Sequence, residues 1–220
     1  DKVYDSAPLL KNELVNRHNL SSAAAAARMR LIEAMFAKPN EKLLGMSEHL
    51  KPPEMSMYLS VLKASGIHRQ VHGEWVITDP PQSDDCHLRP ALSRIRQLIE
   101  QEPDTRIGIQ NIFEELRKPP YGLRDGIIPV LLAVIAIAQE QEVALYENGT
   151  FLREVGRDAF LRMTKAPEKF DIQYCRIEGV RSELFARLAK VLELSLKPGE
   201  TPELLDVVKP LCLFVAQLPE

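Results

Sequence analysis

The sequence predicts a mainly α-helical protein with small β-hairpins, built as two tandem winged-helix-like modules followed by a C-terminal helical subdomain. Three observations carry that expectation. Apolar residues recur at three- and four-residue spacing through most of the chain, the pattern of helices with one buried face. Two turn signals, His72-Gly73 and Asn148-Gly149, each sit between apolar alternating segments, as β-hairpin turns do. Both hairpin signals close the same order of short helices, a longer helix, then the hairpin. The expected divisions are an N-terminal arm over 1–20, a first module over 21–82, a second over 83–156 and a helical subdomain over 157–220.

Within the arm, Leu9, Leu10 and Leu14 suit one short amphipathic helix. Ser21 and Ser22 are good N-cap types for a helix over Ala23–Ala37, which Lys38-Pro39-Asn40 ends. Its alanines permit close packing, although high helix propensity explains them equally well. Lys42–Leu50 suits a single turn or a brief helix. Pro52-Pro53-Glu54 opens the next helix, whose expected apolar stripe is Met55, Tyr58, Leu59 and Leu62, with Gly66 as its C-terminal cap. Ile67–Val71 and Trp75–Ile77 read as extended, joined at Gly73. Pro80–Asp85 is polar and proline-rich and reads as a linker.

In the second module, Leu92, Ile95, Leu98 and Ile99 have helical spacing up to Pro103-Asp104. Ile109, Ile112, Phe113 and Leu116 mark a short helix stopped before Pro119-Pro120. A long buried helix is expected from Arg124 to Gln141, with Leu131, Leu132 and Ile135 inside. Val143, Leu145 and Phe151 flank Glu147-Asn148-Gly149-Thr150, which places Gly149 at a hairpin turn with positive φ. The last stretch reads as a short helix over Ala159–Met163, a turn at Ala166–Phe170, a strand over Asp171–Ile177, an amphipathic helix over Val180–Leu192, a loop at Pro198–Pro202 and an apolar helix over Glu203–Leu218.

Composition narrows the function classes. The 220 residues are 45% hydrophobic and 27% charged, with a net charge of -3. That size fits one large domain or two to three small ones. A slightly acidic balance weighs against a dominant phosphate-binding surface while leaving room for a local basic patch. Cys86, Cys175 and Cys212 have no metal-site spacing and read as reduced thiols of a cytoplasmic protein. The apolar run Ile127–Ala138 is too short to span a bilayer and contains Pro129, so no membrane association is expected. No signal peptide is recognisable. The chain opens on Asp1 and stops at Pro219-Glu220 just after an apolar helical pattern, which reads as a piece of a longer protein.

No catalytic, cofactor-binding or metal-binding residues are assigned. GxxxxGK[ST] and GxGxxG are both absent, so the segment carries no recognisable nucleotide motif. His68 and His72 flank a glycine turn and read as wing-surface histidines rather than metal ligands. Glu114-Glu115 and Asp84-Asp85 read as solvated faces. Winged helices often place their last helix in the DNA major groove and their wing on the backbone. The residues expected to touch DNA or a protein partner are therefore Arg28, Arg30, Lys63, His68, Arg69, His72, Arg94, Arg96 and Arg124. The Met55–Ser65 helix is nevertheless poor in Arg, Asn and Gln, the types that read base edges. Protein packing is thus the leading expectation and double-stranded DNA the alternative.

Tyr4–Met35 (YDSAPLLKNELVNRHNLSSAAAAARMRLIEAM), Lys118–Ala133 (KPPYGLRDGIIPVLLA) and Val143–Leu152 (VALYENGTFL) resemble an internal region of large bacterial P-loop ATPases of the phage-defence type, similar to the ATPase component of bacteriophage-exclusion systems. The resemblance implies a parent that hydrolyses ATP with motifs outside this piece. The repeat order and the absent nucleotide motifs in turn lead to the expectation of a non-catalytic piece, with the parent's other domains, protein partners or DNA as its contacts. No functional residue carries over, because the Walker elements have no counterpart here.

Overall fold

Ser21 opens the first helix, α1 (Ser22–Ala37): its Oγ accepts the Ala24 N–H at 3.2 Å. That bond satisfies one of the donors a helix start leaves without an intrahelical partner. The computed structural model describes residues 3–13, 17–101, 105–140 and 142–175, with Arg187. The chain divides into two compact units, Asp1–Tyr174 and Cys175–Glu220, and every element below belongs to the first. Arg187 apart, the readings at Val180–Leu192, Pro198–Pro202 and Glu203–Leu218, with Cys212, lie outside the described residues.

Among its described residues, the first unit is a mixed fold of six α-helices and two small antiparallel sheets. In the arm, the described residues are turns and extended chain where a helix was expected, and Leu14 falls outside them. The physical reason is competition from tertiary bonds. Leu9 N–H donates to the Cys86 carbonyl at 2.9 Å, and Asn12 Nδ2 donates to Ser60 Oγ at 2.7 Å. A short polar helix has little propensity to set against them.

After α1, Lys42–Gly45 makes a single turn in which Leu43 and Leu44 both take φ of 54°. Helix α2 (Pro53–Met57) follows and continues as a π-helical stretch, Tyr58–Lys63. The wider turn is seen directly in the Ala64 N–H bond to the Leu59 carbonyl, five residues back, at 3.1 Å. It shifts the buried face. Met55, Met57, Tyr58, Val61 and Leu62 point into the core, while Leu59, expected in the apolar stripe, is 43% exposed. Strands β1 (His68–Val71) and β2 (Glu74–Ile77) then pair as a hairpin. Val71 opposes Glu74, leaving His72 and Gly73, at φ of 52° and 90°, as the two-residue turn.

In the Pro80–Asp85 stretch Gln82, Ser83 and Asp85 are exposed, but Asp84, read as part of a solvated face, is not. Asp84 is buried, and its carboxylate accepts the backbone N–H groups of Cys86, Leu88 and Arg89 at the start of α3 (Arg89–Glu100). A short strand unread in the sequence, β3 (Arg106–Gly108), leads into α4 (Ile109–Arg117). The buried helix α5 (Ile128–Ala138) begins at Ile128, later than the expected Arg124, with Pro129 in its first turn. Proline's missing N–H has no intrahelical partner to lose there. Every residue from Ile128 to Ile135 is buried, including Leu131, Leu132 and Ile135.

The second sheet runs β3-β6-β4-β5, from β4 (Val143–Glu147), β5 (Thr150–Phe151) and β6 (Phe170–Tyr174). Asn148 and Gly149 form the β4–β5 turn at φ of 49° and 78°. The expected hairpin is present, but it is the short edge of the sheet. The main partner of β4 is β6, over the whole of Val143–Glu147, with buried Leu145 opposite buried Ile172. In chain order α6 (Arg157–Lys165) falls between β5 and β6, and it packs on α1. The strand read as part of a separate subdomain is therefore an inner strand, and the expected divisions at 82/83 and 156/157 both fall inside the first compact unit.

Candidate interaction surface

The nine basic positions singled out from the sequence do not gather into one stripe. Most are held by internal contacts. Arg28 is buried on α1, and its Nη1 donates to the carbonyls of Asp125 and Gly126 at 3.2 and 3.4 Å. It pins the turn before α5 to α1. Burial pushes this guanidinium down to about 10, against the attraction of Asp125. Arg30 pairs through Nε with Glu54 Oε1 at 2.9 Å, tying α1 to α2. Arg69 Nη1 donates to the carbonyls of Gly66 and Asp79, both at 2.6 Å, and closes the base of the first hairpin. Arg94 donates from Nε and Nη2 to Glu115 Oε1 at 2.9 and 2.7 Å, joining α3 to α4. Arg96 pairs with Asp79, and Arg124 with His18.

His68 corrects the reading of a wing-surface histidine. It is 1% exposed. Its Nδ1 lies 2.8 Å from the Tyr58 hydroxyl, its Nε2 lies 3.0 Å from the Pro39 carbonyl, and its ring stacks on Trp75 at 4.9 Å. A carbonyl only accepts, so Nε2 carries the proton and donates to Pro39, leaving Nδ1 to accept from Tyr58. Burial holds His68 below its ordinary value even though the Pro39 bond pulls upward, and it pushes the Tyr58 hydroxyl up to about 12. The triad of Tyr58, His68 and Trp75 thus locks the π-helical stretch to the first hairpin. Alternation along β1 gave no sign of this, because the burial comes from elements on either side.

Four of the nine are exposed: Arg30 and Arg124, paired as above, with Lys63 at the end of the π-helical stretch and His72 in the β1–β2 turn. Beside Lys63 the same helical face is apolar. Leu59 and, just before α2, Leu50 are 43% and 68% exposed. A shallow hollow of about 380 Å³ lies at Leu59, lined by Lys51, Pro52, Met55, Ser56, Leu59 and Ser60. The sequence signal missed here was the π-turn, which rotates Leu59 outward.

A second and larger concavity, of about 590 Å³, is bordered by α1, α4 and α6 and by the turn before α5. The sequence reading singled out only Arg28 among its charged residues. Arg117, Asp125, Arg157 and Lys165 join it there from distant parts of the chain.

No protein-family model, curated protein or solved structure matches this chain. Among the described residues, no group of three or more His, Cys, Asp or Glu side chains is placed to hold a metal ion. Among the same residues, no helix is long and apolar enough to cross a membrane.

Proposed function

We propose that this chain is a non-catalytic interaction region of a larger bacterial ATPase of the defence-associated type, and that it meets a protein partner through the outer face of Pro53–Lys63. The order α4, α5, β4 with β3 and β6 alongside suits a winged-helix-like module, with α6 as an insertion between the two wing strands. The order α1, Lys42–Gly45, α2, β1, β2 suits a second. In such a module, Pro53–Lys63 occupies the position of the partner-reading helix. The carrying observation is the character of its outer face. It offers exposed Leu59 at a shallow hollow shared with Pro52 and Met55, while the arginines around it are held by carbonyls and carboxylates of the same chain. An apolar centre with a sparse polar rim suits a protein partner better than a phosphate backbone.

Placing a photo-crosslinking residue at Leu59 in the full-length parent tests this. The expected result is a discrete protein adduct from position 59 and none from exposed Glu114 on α4. Equal crosslinking from both positions would remove the assigned face, and ATP turnover by the isolated chain would remove the non-catalytic part.

A winged-helix DNA-binding module is the alternative reading. Its support is that Lys63 and His72, at the helix end and the wing turn, are both exposed.

A further inference from the structure

The larger concavity has a charge character opposite to that of the whole chain. The protein carries a net charge of -3. Among the described residues, the concavity is lined by four permanent cations, Arg28, Arg117, Arg157 and Lys165, with His18 and a single carboxylate, Asp125. That carboxylate is already engaged: Arg117 donates to it through Nε and Nη2 at 2.7 and 2.9 Å. The remaining cations are under-compensated. Arg28 is 8% exposed, donates to carbonyl oxygens and is attracted by Asp125, and its Nε has no hydrogen-bond partner among the described residues. Arg157 has a long contact with Glu33 at 3.6 Å. Lys165 is exposed at the end of α6. The first turn of α1 also borders the space through Ser22 and Ala25, adding the electropositive end of a 16-residue helix.

The rest of the wall is apolar, with Leu20, Met29, Pro129 and the partly exposed Leu161. A volume of about 590 Å³ is that of a small-molecule site rather than a flat contact. Guanidinium groups fork onto phosphate oxygens, and a lysine adds a mobile point charge. We infer that this concavity is a binding site for a small organic phosphate, with the phosphate held by Lys165 and Arg157 and the apolar body against the Leu20–Leu161 wall. The site is separate from the Leu59 face and does not depend on the partner proposed there.

Titration of the full chain at low salt, followed by backbone amide NMR shifts, tests it with phenyl phosphate and inorganic phosphate as probes. Saturable shifts in Ser22–Met29 and Phe113–Arg117 are expected with phenyl phosphate, and weaker binding with inorganic phosphate, which lacks the apolar body. Lys165→Gln and Arg157→Gln alter exposed side chains and are expected to leave the denaturation midpoint unchanged. Together they are expected to weaken phenyl phosphate about tenfold or more, the effect of losing a charge-assisted contact. No saturable shift with either probe would overturn the site. Binding that ignores both substitutions would overturn the assignment of the phosphate to these cations. Equal affinity for the two probes would overturn the apolar half of the site.

Discussion

His68 shows what burial does to a titratable side chain. Its folded pKa lies below the ordinary value because burial penalises the imidazolium. The unfolded chain therefore binds the proton more readily than the folded one. The stability linked to this residue is complete above the ordinary histidine value of about 6.5 and is lost as the pH falls through that value. Urea midpoints measured from about pH 7.5 down to about pH 5 should fall, and His68→Gln, which cannot titrate, should flatten that part of the profile. An unchanged slope in the variant would assign the acid sensitivity elsewhere. At this scale the sequence was least legible. His68 and Arg69 looked like neighbouring surface groups on one hairpin, yet one stacks on Trp75 with Tyr58 edge-on to it and the other closes the hairpin base. Partners that decide a side chain's fate lie on other elements, and residue spacing does not encode them.

Elements were far more legible where local chemistry dictates them. The helices α1, α3, α4 and α6 and both hairpin turns sit where capping residues, apolar spacing and Asn-Gly or His-Gly pairs put them. The errors have local causes too: a π-turn that exposes Leu59, a proline that delays α5, and a three-residue strand too short to show alternation. Two turn glycines give a quantitative test. Gly149 has φ of 78°, and among the described residues an added Cβ would meet only Arg106 Nη1, at 3.9 Å. Gly66 has φ of 74°, and an added Cβ would lie 2.9 Å from the Pro81 ring. Alanine at either position suffers left-handed strain of about 1–2 kcal/mol. Gly66→Ala should cost more than Gly149→Ala, because the packed proline ring must also move. Denaturant midpoints read the difference, and equal losses would mean that Pro81 yields freely.

At the scale of the whole molecule, pairing between distant segments governs both fold and surface. Sequence order suggested successive modules with a separate tail, but β6 lies between β3 and β4, so residues more than sixty positions apart share one sheet. Register between such segments has no local signature, and a strand preceded by a proline turn reads equally well as the start of a new subdomain. Long-range pairing also sets the electrostatics. Arg30, Arg94 and Arg96 reach carboxylates on other elements, which leaves little free positive charge on the helix and turn that a winged-helix module would offer to DNA. A protein that binds DNA through several phosphate contacts loses affinity steeply with salt, because each neutralised phosphate releases counterions. The most direct test is fluorescence anisotropy of a labelled duplex titrated with the chain at about 50 mM and about 200 mM salt. The expected result is no saturable binding at either salt concentration. Saturable binding at the lower concentration that collapses at the higher one and is weakened by Lys63→Gln would contradict the protein-facing assignment and establish the DNA-binding one.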